Sequence, residues 1–217
     1  MAPAPRGLFV TLEGIDGSGK STQARRLAAA LEAEGRAVTL TREPGGAPGA
    51  EEIRRLLVTG APGRWSAETE ILLFTAARRD HLERRLAPAL AAGHIVICDR
   101  YVDSTRAYQG GDPARRALVD ALHREAIGLD PDLTLLCDIA PEAAAARAAA
   151  RAEGAGEDRF ERKGLALQRA LRARFLAMAE AEPARFRVVD AAAPEETVAR
   201  RLRDALAPAL DAAAPLR

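Results

Sequence analysis

The chain has 217 residues, of which nearly half are apolar, so it is long enough to fold as one domain around its own core. A formal net charge of +1 excludes the strong basic excess expected of a general nucleic-acid coat. No apolar run approaches the roughly 18 to 20 residues needed to span a bilayer, and the opening MAPAPRG lacks the features of a secretory signal. We therefore expect a cytoplasmic protein that binds neither nucleic acid nor membrane.

Short apolar runs alternate with long helical patterns along the chain. The runs predict five strands, at 8–13, 37–41, 94–99, 133–138 and 187–190. The helical patterns lie near 20–34, 50–59, 67–91, 113–127, 141–153, 160–181 and 195–210. This alternation predicts right-handed crossovers and a parallel sheet. We therefore expect an α/β fold, a three-layer sandwich with helices on both faces of a five-stranded parallel sheet, in a single domain over 1–217.

Charged side chains follow the predicted strands. Asp16, Glu43, Asp99, Arg100 and Asp138 all fall at or just after strand ends. In open parallel sheets, ligands bind beyond the carboxyl ends of the strands. These residues therefore predict a site at that edge of the sheet.

The octapeptide GIDGSGKS, residues 14–21, has the spacing of a phosphate-binding loop. Its glycines let backbone N–H groups turn inward, and the following helix adds its positive dipole end. In this motif Lys20 reaches the β- and γ-phosphates of ATP and the Ser21 hydroxyl coordinates Mg²⁺. The predicted ATP-binding residues are Gly14, Ile15, Asp16, Gly17, Ser18, Gly19, Lys20, Ser21 and Thr22.

Other classes of nucleotide-binding protein leave marks that are absent here. Only Lys20 and Lys163 are lysines, so a GTPase's Asn-Lys-x-Asp signature is excluded. The apolar run IVICDRY gives a single acid, Asp99, followed by Arg100, where a motor ATPase usually has an acidic pair. Asp99 can hold Mg²⁺ directly or through water, and the adjacent arginine suits a second phosphoryl group.

The helical stretch LLFTAARRDH carries a possible base-binding pair. Phe74 and Arg78 are four residues apart, so they share one helix face. The phenyl ring can stack on a base while the guanidinium donates to its edge. The spacing alone also fits a phenylalanine that packs in the core.

Four segments together resemble the bacterial thymidylate kinase family, a branch of the nucleoside monophosphate kinases. They are EGIDGSGKST, TREPGG, FTAAR and DRYVDSTRAYQGG, and the resemblance runs in order from about residue 8 to 191. It implies transfer of the γ-phosphate of ATP to thymidine monophosphate, for synthesis of thymidine triphosphate. It also implies a homodimer formed through the helix that carries Phe74.

The same resemblance implies the contacts with thymidine monophosphate. Phe74 stacks on thymine, Arg78 hydrogen-bonds its carbonyl edge, and Thr105 and Gln109 read the remaining edge. Tyr108 lies against the deoxyribose.

The sugar and phosphate contacts are implied in the same way. Asp16 meets the 3′-hydroxyl, and Arg54 and Arg100 hold the acceptor phosphate. Glu43 lies near this site in the family, and Pro44 shapes the loop, through a cis bond.

A lid is implied over about 147–161, RAAARAEGAGEDRFE. Some relatives carry an arginine where this chain has Gly17, so the charge that develops during transfer needs another cation. Arg147, Arg151 and Arg159 are the candidates, and Arg159, in DRFE, is our choice. The expected catalytic residues are therefore Lys20, Asp99, Arg100 and Arg159, with Ser21 and Asp99 at the metal.

The helix after this lid, RKGLALQRALRARF, lacks the aromatic residues of relatives, so no contacts are carried over to it. The loop VVDAAAP resembles the segment that touches adenine in the family. Cys98 and Cys137 are expected as buried free thiols. His81, His94 and His123 are expected on the surface or in packing.

Two alternatives remain at this point. One is a kinase for another pyrimidine nucleotide or for a deoxynucleoside. A deoxynucleoside kinase would need a general base, because its acceptor is a neutral hydroxyl. The other is a regulatory module that holds ATP without transfer, and such a module has no need of a second base pocket.

Overall fold

The computed structural model describes residues 6–61, 63–151 and 164–212. Its centre is a five-stranded sheet in the order β2-β3-β1-β4-β5, and every pairing is parallel. The strands are β1 Phe9–Glu13, β2 Val38–Arg42, β3 Ile95–Asp99, β4 Leu133–Asp138 and β5 Phe186–Asp190. The predicted fold class and the five predicted strands are confirmed, with bounds that shift by about one residue.

Nine α-helices lie in the described ranges. They are α1 Lys20–Ala33, α2 Pro48–Val58, α3 Ala67–His81, α4 Ala87–Ala91, α5 Val102–Tyr108, α6 Pro113–Leu122, α7 Pro141–Arg151, α8 Leu165–Ala181 and α9 Glu195–Ala212. A π-helical turn at Leu82–Leu86 interrupts the stretch predicted as helical at 67–91, and a second one, His123–Ile127, ends the stretch predicted at 113–127. None of these helices combines the length and apolar character needed to span a bilayer.

The sheet is covered on both faces because alternate strand residues point to opposite sides. Val10 and Leu12 of β1 pack in one cluster with buried residues of α1, α8 and α9. Phe9 of the same strand packs in a second cluster with buried residues of α3, α5 and α6. Cys98 and Cys137 are buried free thiols, as predicted.

Helix α5 has no counterpart among the predicted helices. It begins only three residues after β3 ends, and its sequence VDSTRAY contains β-branched, Ser and Asp residues that favour a loop in isolation. Buried contacts of Val102 and Ala107, both fully inaccessible, stabilise it in the folded chain. The consequence is that the segment 102–108 presents one defined face to the carboxyl edge of the sheet.

Candidate active site

The phosphate loop connects β1 directly to α1. Gly17 and Gly19 have φ angles of 79° and 90°, in the left-handed region that favours glycine. Lys20 is the first residue of α1, and its Nζ donates to the carbonyl of Ile15 over 2.7 Å and contacts Ser18 Oγ at 3.3 Å. The loop therefore holds its lysine inside the curve of the backbone, beside the N-terminus of a 14-residue helix.

Position 17 has no space for a side chain. A Cβ there would lie 2.4 Å from the carbonyl oxygen of Ala144 in α7. The arginine that some relatives carry here would require a different path for α7. The structure thus gives a packing reason for the absence of that cation.

Ser21 and Asp99 lie side by side at the mouth of this loop. The Ser21 hydroxyl donates to Asp99 Oδ2. Among the described residues, Asp99 Oδ1 is buried and has no hydrogen-bond partner. A hydroxyl and a free carboxylate oxygen are the hard oxygen donors that Mg²⁺ prefers, so these residues fit that ion. No group of three or more His, Cys, Asp or Glu residues in the described ranges forms a metal cluster, and Mg²⁺ with a nucleotide does not need one.

A cleft opens next to the loop, beyond the carboxyl ends of β1, β2 and β3. All nine residues predicted to bind the acceptor line it, from five separate segments of the chain. The lining is Asp16, Glu43, Pro44, Arg54, Val58, Phe74, Arg78, Arg100, Tyr101, Ser104, Thr105, Tyr108 and Gln109. Asp138, also expected at this edge, is instead paired with Arg172 of α8 at 2.7 Å and does not line the cleft.

One end of the cleft carries the aromatic ring and a buried arginine. Phe74 is half-buried and lines the cleft, so it is not a core residue. Arg78 Nε donates to Glu43 Oε2 over 2.7 Å, and its Nη2 donates to Thr105 Oγ1 over 3.0 Å. Gln109 Nε2 donates to Glu70 over 3.1 Å. This end therefore has a flat apolar ring and fixed polar groups suited to one edge of a base.

His81 lies behind this pair. Its Nδ1 is 2.9 Å from Glu43 Oε1 and its Nε2 is 2.7 Å from Thr41 Oγ1, and the ring is fully buried. We expected each histidine on the surface or in packing. His81 has a further role, because its ring contacts the Glu43 carboxylate that accepts from Arg78. The peptide bond between Glu43 and Pro44 is cis, as expected.

The other end of the cleft is cationic and adjoins the phosphate loop. Arg100 Nη2 donates to Asp16 Oδ1, and the Tyr108 hydroxyl donates to Asp16 Oδ2 over 2.9 Å. Arg54 also lines the cleft and donates to the carbonyl of Pro44 over 2.8 Å. Two guanidinium groups besides that of Arg78 thus line the cleft, and that of Arg100 contacts the loop.

Burial and neighbouring charges shift two pKa values at this end. Burial, with the adjacent Arg100, lowers the pKa of Lys20 to about 8. Burial acts to raise the pKa of Asp16, but Arg100 and Lys20 outweigh it and hold that pKa below its usual value. Asp16 is therefore ionised at neutral pH and can accept a hydrogen bond from a hydroxyl group.

Sequence reasoning missed one contact from α5 and one from α8. In α5, the Ser104 hydroxyl accepts a hydrogen bond from Arg100 Nη1 over 3.0 Å. Gln168 Nε2 lies 3.4 Å from Asp16 Oδ2, although no contact was carried over to this helix. A polar residue one turn into α8 was the only available signal for the second contact.

The residues predicted to form the lid lie partly outside the described residues. Arg159 lies there, as does most of 147–161. Arg147 is described, and it donates to the carbonyl oxygens of Ala191, Ala192 and Ala193, in the loop expected near adenine. Arg147 therefore ties the start of the lid segment to that loop.

Comparison with known proteins gives one family. The family model described as "Thymidylate kinase" matches residues 12–202. A thymidylate kinase of Ruegeria pomeroyi is 62% identical over 196 residues, covering 89% of this chain and 91% of that relative. One from Dinoroseobacter shibae is 62% identical over 194 residues, covering 89% and 93%. The crystal structure of thymidylate kinase from Ehrlichia chaffeensis superposes with a TM-score of 0.75 at 32% identity, covering 93% of this chain and all of that one.

Proposed function

The chain belongs to the thymidylate kinase family, and we infer that it transfers the γ-phosphate of ATP to thymidine monophosphate, giving thymidine diphosphate. One observation supports the acceptor assignment. A single cleft is lined by an aromatic ring with Arg78 and by two further arginines, Arg54 and Arg100, and Arg100 bonds Asp16 of the phosphate loop. The ring and Arg78 suit a base, and Arg54 and Arg100 suit a phosphate already present on the acceptor.

Phosphoryl transfer requires alignment and charge stabilisation more than covalent chemistry. On the donor side, Lys20 and the loop N–H groups bind the β- and γ-phosphates. Ser21 and Asp99 would hold Mg²⁺, which would supply positive charge to neutralise the phosphate oxygens. On the acceptor side, Arg54 and Arg100 orient the phosphate whose oxygen attacks, and that oxygen needs no general base.

The acceptor's sugar and base fix its position along the cleft. Asp16 accepts a hydrogen bond from the 3′-hydroxyl, and Tyr108 packs against the sugar. Phe74 stacks on thymine, and Arg78 donates to a carbonyl of the ring, with Thr105 and Gln109 along the remaining edge. Because Asp16 belongs to the phosphate loop, one loop contacts both substrates.

We propose that Arg159 supplies the cation that position 17 cannot carry. The packing of Gly17 against Ala144 supports a need for charge from elsewhere. The segment 147–161 supplies arginines from outside the loop. In this account Arg159 contacts the transferring group only when both substrates are bound.

A homodimer through α3 completes the proposal. Leu72 of α3 is 54% exposed, the most exposed of the large apolar side chains in the described residues. An apolar side chain at that position favours contact with a second copy. The same helix carries Phe74 and Arg78, so dimer contacts would also restrain the base-binding end of the cleft.

A panel assay tests the acceptor assignment. The protein is incubated with Mg-ATP and a set of nucleosides and nucleoside monophosphates, and ADP and phosphorylated product are both measured. Strong preference for thymidine monophosphate supports the proposal. Activity on nucleosides alone would replace it with a deoxynucleoside kinase, and acceptor-independent ATP binding without product would replace it with a regulatory module.

A further inference from the structure

Glu13 is a buried acid that the mechanism above does not use. It is the last residue of β1, directly before the phosphate loop, and none of its surface is accessible. A buried carboxylate is costly unless hydrogen bonds satisfy it. Its partners therefore indicate what the residue is for.

All three donors to Glu13 come from one turn, the residues that follow Arg100. Glu13 Oε1 accepts from the backbone N–H of Tyr101 over 2.8 Å and from that of Ser104 over 3.3 Å. Glu13 Oε2 accepts from the Ser104 hydroxyl over 2.6 Å. One carboxylate thus holds both ends of the turn 101–104.

This turn starts from a strained backbone. Arg100 has a φ of 68°, the only positive value for a residue other than glycine among those the structure describes. Such a conformation persists where surrounding contacts determine it. The N–H of Arg100 donates to the carbonyl of Leu12 over 3.0 Å, and Glu13 fixes the residues that follow. Two consecutive residues of β1 therefore hold Arg100 from both sides.

The side chain of Arg100 is held through the same acid. Because the Ser104 hydroxyl gives its proton to Glu13, its lone pairs are available to Arg100 Nη1, which lies 3.0 Å away. Arg100 Nη1 also donates to the carbonyl of Gly14 over 3.2 Å, and Nη2 donates to Asp16. The guanidinium is thereby tied to the turn and to the phosphate loop at once.

We propose that Glu13 is a positioning residue for phosphoryl transfer, which acts through Ser104 to fix the Arg100 guanidinium between the phosphate loop and the acceptor's phosphate. The inference rests on the proposed function, since it assigns Arg100 to the acceptor phosphate. The negative charge of Glu13 is required. A neutral side chain at this position would donate to Ser104 and reverse the direction of that hydrogen bond.

The ionisation of Glu13 gives a readout that is specific to this role. Burial, with the nearby carboxylate of Asp103, raises the pKa of Glu13 to about 7, although hydrogen bonds and Arg100 oppose the shift. The charge of Glu13 also acts on the buried thiols of Cys98 in β3 and Cys137 in β4. The positioned state of Arg100 should therefore form as pH rises through about 7.

The test compares Glu13→Gln, Ser104→Ala and the double variant with the unmodified protein at pH 8, with KM measured separately for each substrate. Loss of a hydrogen bond to a charged group predicts that Glu13→Gln lowers kcat/KM for thymidine monophosphate about 10- to 100-fold, with KM for ATP within about threefold. Because both residues act in one series of hydrogen bonds that ends at Arg100, the double variant should lose no more kcat/KM than Glu13→Gln alone. The rise of activity around pH 7 should be absent from Glu13→Gln.

Thr11→Val serves as the matched control on the same strand. Thr11 is fully buried and bonds Thr134 at 3.0 Å, away from the cleft, so its kinetics should equal those of the unmodified protein. Unchanged kcat/KM in Ser104→Ala, or additive losses in the double variant, would overturn the inference even where Glu13→Gln fails to fold. No product from the unmodified protein would instead overturn the proposed function itself.

Discussion

Arg78 and Glu43 form an ion pair of 2.7 Å in which both side chains are almost fully buried. Removing the charge from one member of such a pair leaves the other uncompensated in a medium of low polarity. Glu43→Gln should therefore lower the free energy of unfolding by about 3 kcal/mol and raise KM for thymidine monophosphate. Chemical denaturation and steady-state kinetics measure the two effects.

Glu196→Gln is the control for that variant. Glu196 pairs with Arg26 on the surface, where its side chain is 80% exposed, so neither stability nor KM should change measurably. Equal stability of Glu43→Gln and the unmodified protein would contradict the role assigned to the buried pair.

His81 should affect the acceptor and leave ATP binding unchanged. His81→Ala removes the hydrogen bond to Glu43 and frees the carboxylate that orients Arg78. We expect KM for thymidine monophosphate to rise about tenfold, with KM for ATP unchanged. His94→Ala, which removes a bond to Thr39 away from the cleft, should leave both constants as they are. Equal kinetics for the two variants would show that His81 only fills space.

Glu13 makes folding stability depend on pH in a direction opposite to that of most acids. Its folded pKa of about 7 lies above the ordinary 4.5, so the folded state holds a proton that the unfolded state releases. Stability is therefore lost as pH rises from about 4.5 to 7, by about 3 kcal/mol in total. The difference in unfolding free energy between the unmodified protein and Glu13→Gln should change by that amount between pH 5 and pH 8. A difference that does not vary with pH would contradict the shifted pKa.

Arg159 should act on the chemical step. Arg159→Ala is expected to lower kcat about 10²-fold with little change in either KM, because the cation acts on charge that develops during transfer. Arg151→Ala, in the same segment, is the control and should retain most of the activity. An unchanged kcat in Arg159→Ala would remove that residue from the mechanism.

Leu72 tests the proposed dimer. An arginine at this exposed position on α3 places a charge in an apolar contact, so Leu72→Arg should elute as a monomer where the unmodified protein is a dimer. Light scattering after size exclusion measures both masses. Val188→Arg, at a residue 52% exposed on β5, should not change the oligomeric state. A monomeric unmodified protein would contradict the proposal.

Local patterns predicted the framework of the site. The strands could be located because buried apolar runs are bounded by turns, and the phosphate loop because its glycine spacing is fixed by the chemistry of phosphate binding. The shared face of Phe74 and Arg78 follows from helical geometry alone, and both line the cleft. The resemblance then supplied the remaining acceptor residues.

Long-range partners were beyond the reach of the sequence. Glu13 and Ser104 are 91 positions apart, and Glu43 and His81 are 38 apart, so their pairing depends on how the strands and helices pack. Helix α5 was missed for the same reason, since tertiary contacts stabilise a segment with weak local preference. The steric reason for Gly17 likewise required the position of Ala144 in α7.

The path of one phosphate group tests the proposed transfer. ATP labelled in its γ-phosphate is incubated with the protein, Mg²⁺ and thymidine monophosphate, and the labelled species are identified and counted. We expect label in the β-phosphate of thymidine diphosphate, one labelled phosphate for each ADP formed, and none in inorganic phosphate. Label released as inorganic phosphate, at a rate that does not depend on thymidine monophosphate, would contradict it.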